Sequence, residues 1–275
     1  MRPNATLSRL RNGEPALGLW LQLGSISVAR MLAAQGSYNW LLVDLEHTAT
    51  DLSTASLMMS AIADVSAGRV TPVARVPAGT VFHIKQVLDA GAHGVLVPMV
   101  NTPDEARDIV RFARYPPVGE RGVGGFAPFV SFGANRAEYA REANDQIMVA
   151  IQVETRQGVE NIEEIASVPG IDVIFVGPND LHISYGLQPR YWSAEPDFLN
   201  AVQKVVDTCK TRGVTAGILC ADSAGAIDRL KQGFTFVGVG SDAGFLLRFA
   251  GLQAGEVTGT PEPAGMWSSV VKLDR

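Results

Sequence analysis

Asp44-Leu45-Glu46-His47 sets two carboxylates and an imidazole within four residues, directly after the apolar stretch Trp40–Val43. Three other apolar stretches end in polar chemistry as well. Residues 71–76 carry Arg75 near their end, 148–154 run into Gln152-Val153-Glu154, and 172–177 run into Gly177-Pro178-Asn179-Asp180. Burying an unpaired charge is expensive, so a packed core gains nothing from such groups. A reaction centre built where strands stop does.

Glu154 and Asp180 are candidate metal ligands. Two carboxylates on neighbouring strand ends suit a hard divalent cation, with water and a bidentate substrate completing an octahedron. The competing expectation is that each pairs with an arginine or caps a helix. His47, with Asp44 three residues before it, is a candidate general base whose imidazole the carboxylate would orient. The alternative is a hydrogen-bonded core histidine. His83, His93 and His182 have no comparable neighbours, and His182 is expected to support the site or its helix.

Arg75 ends an apolar strand and needs an anion there. That anion is either an oxygen becoming an enolate or a structural carboxylate, Asp44 or Glu154. Gln152 is placed to bind a water or a neighbouring side chain. The turn Gly177-Pro178-Asn179-Asp180-Leu181 opens a helix, whose first N–H groups suit a carboxylate.

Lysine is scarce: only Lys85, Lys204, Lys210, Lys231 and Lys272. None falls in the apolar stretches. A Schiff-base aldolase needs a desolvated lysine inside its fold, so this inventory points to an enolate stabilised by metal instead.

Eight apolar stretches must position these groups: 16–22, 39–45, 71–76, 94–100, 148–154, 172–177, 215–220 and 234–240. Their continuous rather than alternating apolarity suits strands covered on both faces. Helix-length segments lie between them, such as Asn101-Thr102-Pro103-Asp104-Glu105-Ala106, which offers a cap, an early proline and early acids. Strand–helix alternation repeated eight times predicts an α/β fold, a (β/α)8 TIM barrel, over a doubly wound open sheet. Residues 115–146 are expected to form a long loop after the fourth strand, with helix around 137–143, covering the site. A single domain spanning 1–275 is expected, with a short N-terminal helix and an extended tail from about 251.

Composition narrows the function classes. With 275 residues, 47% hydrophobic and 19% charged, the chain has material for a large core. A net charge of −5 gives no electrostatic reason to expect nucleic acid or an anionic membrane as partner. No stretch approaches the length of a membrane span. Cys209 and Cys220 form no CxxC pattern, so a reduced, cytoplasmic protein is the expectation.

At these residues the sequence resembles the HpcH/HpaI family of class II pyruvate aldolases. The matching segments are GLWLQLGS (18–25), WLLVDLEHT (40–48), ARVP (74–77), LDAGAHGVLVPMVNTPDEA (88–106), RGVGG (121–125), IQVET (151–155) and FVGPNDL (175–181). The resemblance covers about 16–245. It implies a (β/α)8 barrel in a homo-hexamer, a trimer of dimers that exchanges the final helix between subunits. It also implies Mg2+, Mn2+ or Co2+ on Glu154 and Asp180, Arg75 on the keto oxygen, and acid–base work by His47 with Asp44. The backbone of Asn179 and Asp180 would receive the pyruvate carboxylate, with Trp20, Gln152 and Gly177 around the substrate. Asp89 matches a position near a neighbouring subunit's site.

The implied reaction is reversible cleavage of 4-hydroxy-2-oxo acids to pyruvate and an aldehyde. The segment between His47 and Arg75 is closer to the macrophomate synthase-like branch, and Asn179 stands where alanine is common. Oxaloacetate decarboxylation, or macrophomate synthase-like bond formation from the same enolate, is therefore the alternative. A CoA-ester lyase is disfavoured because no basic patch for CoA phosphates is evident, and a non-catalytic binding barrel is the remaining reading.

Overall fold

The computed structural model describes residues 1–259. Its strands are β1 (Ala16–Leu21), β2 (Trp40–Asp44), β3 (Thr71–Arg75), β4 (Gly94–Val97), β5 (Met148–Val153), β6 (Val173–Val176), β7 (Thr215–Cys220) and β8 (Phe236–Ser241). They pair in parallel, in chain order, and β8 closes on β1. The closed eight-stranded barrel expected from the apolar rhythm is the fold. The β4 stretch is shorter than its 94–100 signal, because Met99 leaves the extended region for a left-handed φ of 58°.

Alternation along each strand divides the apolar residues between two cores. Trp20, Trp40, Leu42, Val73, Leu96, Phe175 and Phe236 fill the barrel interior. Leu19, Leu21, Leu41, Val43 and their counterparts face the helices. Trp40 stacks on Phe236 with ring centroids 4.2 Å apart, and Trp20 meets Trp40 edge-on at 5.6 Å. Gly18 is required by this filling, since a Cβ there would fall 1.9 Å from the Trp40 ring. The helix Ala5–Arg11 closes the N-terminal mouth with Leu7 and Leu10, so the site must lie at the other end.

The helices begin where the sequence supplies caps. Thr102 and Glu105 form a reciprocal capping box on Pro103–Ala113, with proline in its first turn. Asp51, Thr80 and Asp222 cap the helices that follow them through side-chain oxygens.

Two expectations are corrected. The segment 115–146 does not cover the strand ends, because the helix Pro103–Ala113 first carries the chain back to the N-terminal face. There it forms the helices Ala127–Ser131 and Arg136–Gln146 and packs near the N-terminus, with Arg2 N–H donating to Phe132 O at 2.7 Å. The chain also stays helical from Asp242 to Thr258, so no extended tail begins at about 251. The remainder of that expectation falls on 260–275, outside the described residues.

Candidate active site

The strand ends converge on a cleft of about 140 Å³ at the C-terminal face of the barrel. Trp20, His47, Arg75, Gln152, Gly177, Asn179 and Asp180 line it, so seven residues singled out from sequence meet in one place. Asp44 lies beneath Arg75, and Glu154 lies behind Gly177.

Arg75 is anchored from below. Its Nε donates to Asp44 Oδ1 at 2.9 Å and its Nη2 to Asp44 Oδ2 at 2.6 Å, while Nη1 lies 3.0 Å from Glu46 Oε2. Burial opposes the charge on the guanidinium, yet Asp44, Glu46 and Glu154 together outweigh it and hold Arg75 ionised. Trp20 packs beside it, its ring centroid 5.8 Å from Cζ. This pinned cation faces the cleft with its orientation fixed.

The pairing of Asp44 with His47 is not what the structure shows. Asp44 is fully buried and also accepts from Glu46 N–H at 3.1 Å, so its oxygens serve Arg75 and the turn. His47 is exposed, and its Nε2 lies 3.6 Å from Glu46 Oε2. Glu46 is thus the carboxylate between imidazole and guanidinium. Burial pushes its pKa up, while Arg75 and His47 pull it down. The signal for Glu46 was its place within the Asp44–His47 string.

Glu154 is 2% exposed, and burial pushes its carboxyl up to about 7 against the hydrogen bonds from Gln152 and Met99. Asp180 and Glu46 push it further in the same direction. Met99 N–H donates to Glu154 Oε1 at 2.9 Å from its left-handed conformation, and Gln152 Nε2 donates to Oε2. Gly177 permits this arrangement: a Cβ there would stand 2.0 Å from Glu154 Oε2.

A divalent cation fits this set. A carboxylate raised chiefly by burial, and further by Asp180 and Glu46, beside a Gln152 Oε1 without a hydrogen-bond partner among the described residues, is a donor set short of positive charge. Among the described residues there is no cluster of three or more His, Cys, Asp or Glu poised around one point.

The remaining candidates divide by location. His182 is buried, stacks on Phe198 and bonds Pro178 O at 2.7 Å and Ser193 Oγ at 2.8 Å, fixing the helix Pro178–Ser184 that presents Asn179 and Asp180. Asp89 lies elsewhere: it accepts from Arg121 Nη2 at 2.8 Å beside Gly124 and Gly125. Gln22, Tyr191 and Ser241 also line the cleft; Gln22 lies in the matching segment 18–25 but was not singled out, and nothing in the context of Tyr191 or Ser241 marked them.

Residues 16–248 match the family model HpcH/HpaI aldolase/citrate lyase. The chain belongs to this family. Among HpcH/HpaI relatives, it is 40% identical over 262 residues to a hydroxypyruvate/pyruvate aldolase of Deinococcus radiodurans, covering 93% of this chain and 92% of that protein. It is 38% identical over 249 residues to a 4-hydroxy-2-oxo-heptane-1,7-dioate aldolase of Shigella sonnei, covering 90% and 92%. An HpcH/HpaI family crystal structure from Burkholderia cenocepacia J2315 superposes with a TM-score of 0.86 at 39% identity, covering 93% of this chain and 99% of that one. Among the described residues no helix is long and apolar enough to cross a membrane.

Proposed function

We propose that this protein is a metal-dependent carbon–carbon lyase that cleaves 4-hydroxy-2-oxo acids to pyruvate and an aldehyde, and joins them in reverse. The observation that carries this reading is the ionised Arg75, locked by Asp44 and lining one small cleft together with Asp180, with Glu154 behind Gly177. The aldolase names of its relatives support the same reaction class.

Glu154 and Asp180 would hold the cation, which supplies Lewis-acid polarisation to the keto oxygen and carboxylate of a 2-oxo acid. Arg75 donates to the keto oxygen and stabilises the negative charge it acquires as the C3–C4 bond breaks. His47, beside Glu46, accepts the proton of the 4-hydroxyl, and the aldehyde carbonyl forms. The electron pair of the broken bond becomes the enolate, which takes a proton at C3 to give pyruvate. Asp44 keeps Arg75 aligned throughout. The first turn of Pro178–Ser184 offers Asn179 and Asp180 N–H groups to the carboxylate.

The homo-hexamer belongs to the same reading. Leu246, Leu247 and Phe249 lie exposed along the final helix and support an assembly that covers them; sedimentation velocity would check it.

The deciding experiment measures pyruvate release from 4-hydroxy-2-oxo acids and from oxaloacetate, with EDTA and then with Mg2+, Mn2+ or Co2+ restored. Metal-dependent release from the hydroxy acids is expected. Release from oxaloacetate alone would transfer the assignment to a decarboxylase, and no metal-dependent release from either would end the pyruvate-enolate reading.

A further inference from the structure

Arg229 is a buried cation without a hydrogen-bond acceptor among the described residues. It is 7% exposed, its Nε is sealed from solvent with no hydrogen-bond partner, and no carboxylate among the described residues closes an ion pair with it. Of the two acids near it, Asp228 favours its charge at longer range, but both hold their hydrogen bonds elsewhere. Asp222 caps the helix Ser223–Gln232 by accepting from Gly225 N–H at 2.9 Å, and Asp228 accepts from Lys231 Nζ at 3.2 Å. The Trp192 ring lies against the guanidinium, 3.1 Å from Cζ to centroid. Leaving a desolvated charge in this condition is costly, and burial draws its pKa below the usual arginine value.

This arginine lies in the wall of a second cleft, of about 220 Å³, whose lining joins apolar Tyr191, Trp192, Ile218, Cys220 and Ala224 to Asp222 and Asp228. The cleft adjoins the candidate active site without being part of it. Along β7, Leu219 faces the active-site cleft, while Ile218 and Cys220 on the opposite face line this one. Tyr191 lines both, at the rim where they approach.

We propose that the second cleft is a carboxylate site, in which Arg229 pairs with the carboxylate of a small organic acid whose apolar body lies against Trp192, Ile218 and Cys220. A guanidinium matches a carboxylate with two parallel N–H donors. A phosphate fits less well, because a dianion would meet one cation with Asp222 and Asp228 close by. The carboxylate has two sources: a separate acid, or the far end of a substrate that reaches past Tyr191 from the active-site cleft. Binding itself does not depend on the reaction proposed above.

The test is calorimetric titration of the whole protein with hexanoate, and with hexanol as its uncharged counterpart. Hexanoate is expected to bind at least about tenfold more tightly than hexanol, the scale of a charged hydrogen bond. Arg229→Met, checked for an unchanged circular dichroism spectrum, should weaken hexanoate by about tenfold or more. Ala224→Leu, on the exposed first turn of its helix, should weaken it by crowding the cleft and keeps the proposal testable if Arg229→Met misfolds. Competition by hexanoate against 4-hydroxy-2-oxo-heptane-1,7-dioate, but not against an uncharged-tail 4-hydroxy-2-oxo acid, would assign the site to the substrate's far end. Binding without competition against either would assign it to a separate acid. Equal hexanoate affinity in wild type and both variants, or no binding to wild type, would overturn the proposal.

Discussion

Asp44 and Arg75 are register partners at the ends of β2 and β3, and their side chains close a two-point ion pair across that ladder. In a parallel pair, register partners project to the same side of the sheet. The strand pairing that builds the barrel therefore also sets the direction of the guanidinium. Fold and chemistry share one contact.

Arg75→Ala should lower turnover by about a hundredfold or more, the scale of losing one preorganised donor at a developing oxyanion. It should also destabilise the fold by about 3–5 kcal/mol, because Asp44 is left buried without its partner. The double variant Asp44→Asn, Arg75→Ala should recover part of the stability and none of the turnover. Urea midpoints with pyruvate release separate the two effects, and an active Arg75→Ala enzyme would remove the arginine from the mechanism.

Gly177→Ala tests the close approach behind the cleft. A Cβ would stand 2.0 Å from Glu154 Oε2 and 2.7 Å from Gln152 Nε2, so the carboxylate must swing away. The expected result is a folded protein with weakened Mn2+ binding and little lyase activity. Unchanged Mn2+ affinity would show that Glu154 does not need its present place.

How much of this was legible beforehand follows from what each feature depends on. Groups at the ends of β2, β3, β5 and β6 were visible because continuous apolar stretches marked the strands, and the barrel then brought their ends together. The partner of Asp44 was not settled. Spacing within Asp44–His47 suggested the imidazole, while the register of β2 on β3 delivered Arg75 instead. The helix Pro103–Ala113 was legible from its caps, yet its consequence was missed: it returns the chain to the N-terminal face before 115–146 begins. The Met99 amide left no trace at all, since nothing in a methionine announces a left-handed backbone. Arg229 and Trp192 lie far apart in sequence and meet only through tertiary packing.

Glu154→Gln keeps the shape of the side chain and removes its charge. Mn2+ affinity, read by calorimetry, should fall by more than the roughly 10–100-fold that losing a supporting group costs a metal site. Treatment with EDTA should abolish wild-type lyase activity, and Mg2+, Mn2+ or Co2+ should restore it in wild type only. Restoration to the same level in Glu154→Gln would rule the carboxylate out as a ligand.

His93 predicts a pH dependence of stability that has nothing to do with the site. It is 4% exposed just before β4, stacked on Phe132 at 3.9 Å, with no partner for Nε2 among the described residues. Burial pulls its pKa from 6.5 down to about 3. Above pH 6.5 the imidazole is neutral in both folded and unfolded chains and makes no difference. Between 6.5 and about 3 the unfolded chain binds a proton that the folded one refuses, so stability falls as pH falls, by up to about 1.4 kcal/mol per unit. His93→Phe removes the titrating group and keeps the stack on Phe132. Urea unfolding at pH 6.5 and 4.5 should show wild type losing about 2 kcal/mol more than the variant over that interval. Parallel losses in the two proteins would mean that His93 does not stay neutral inside the fold.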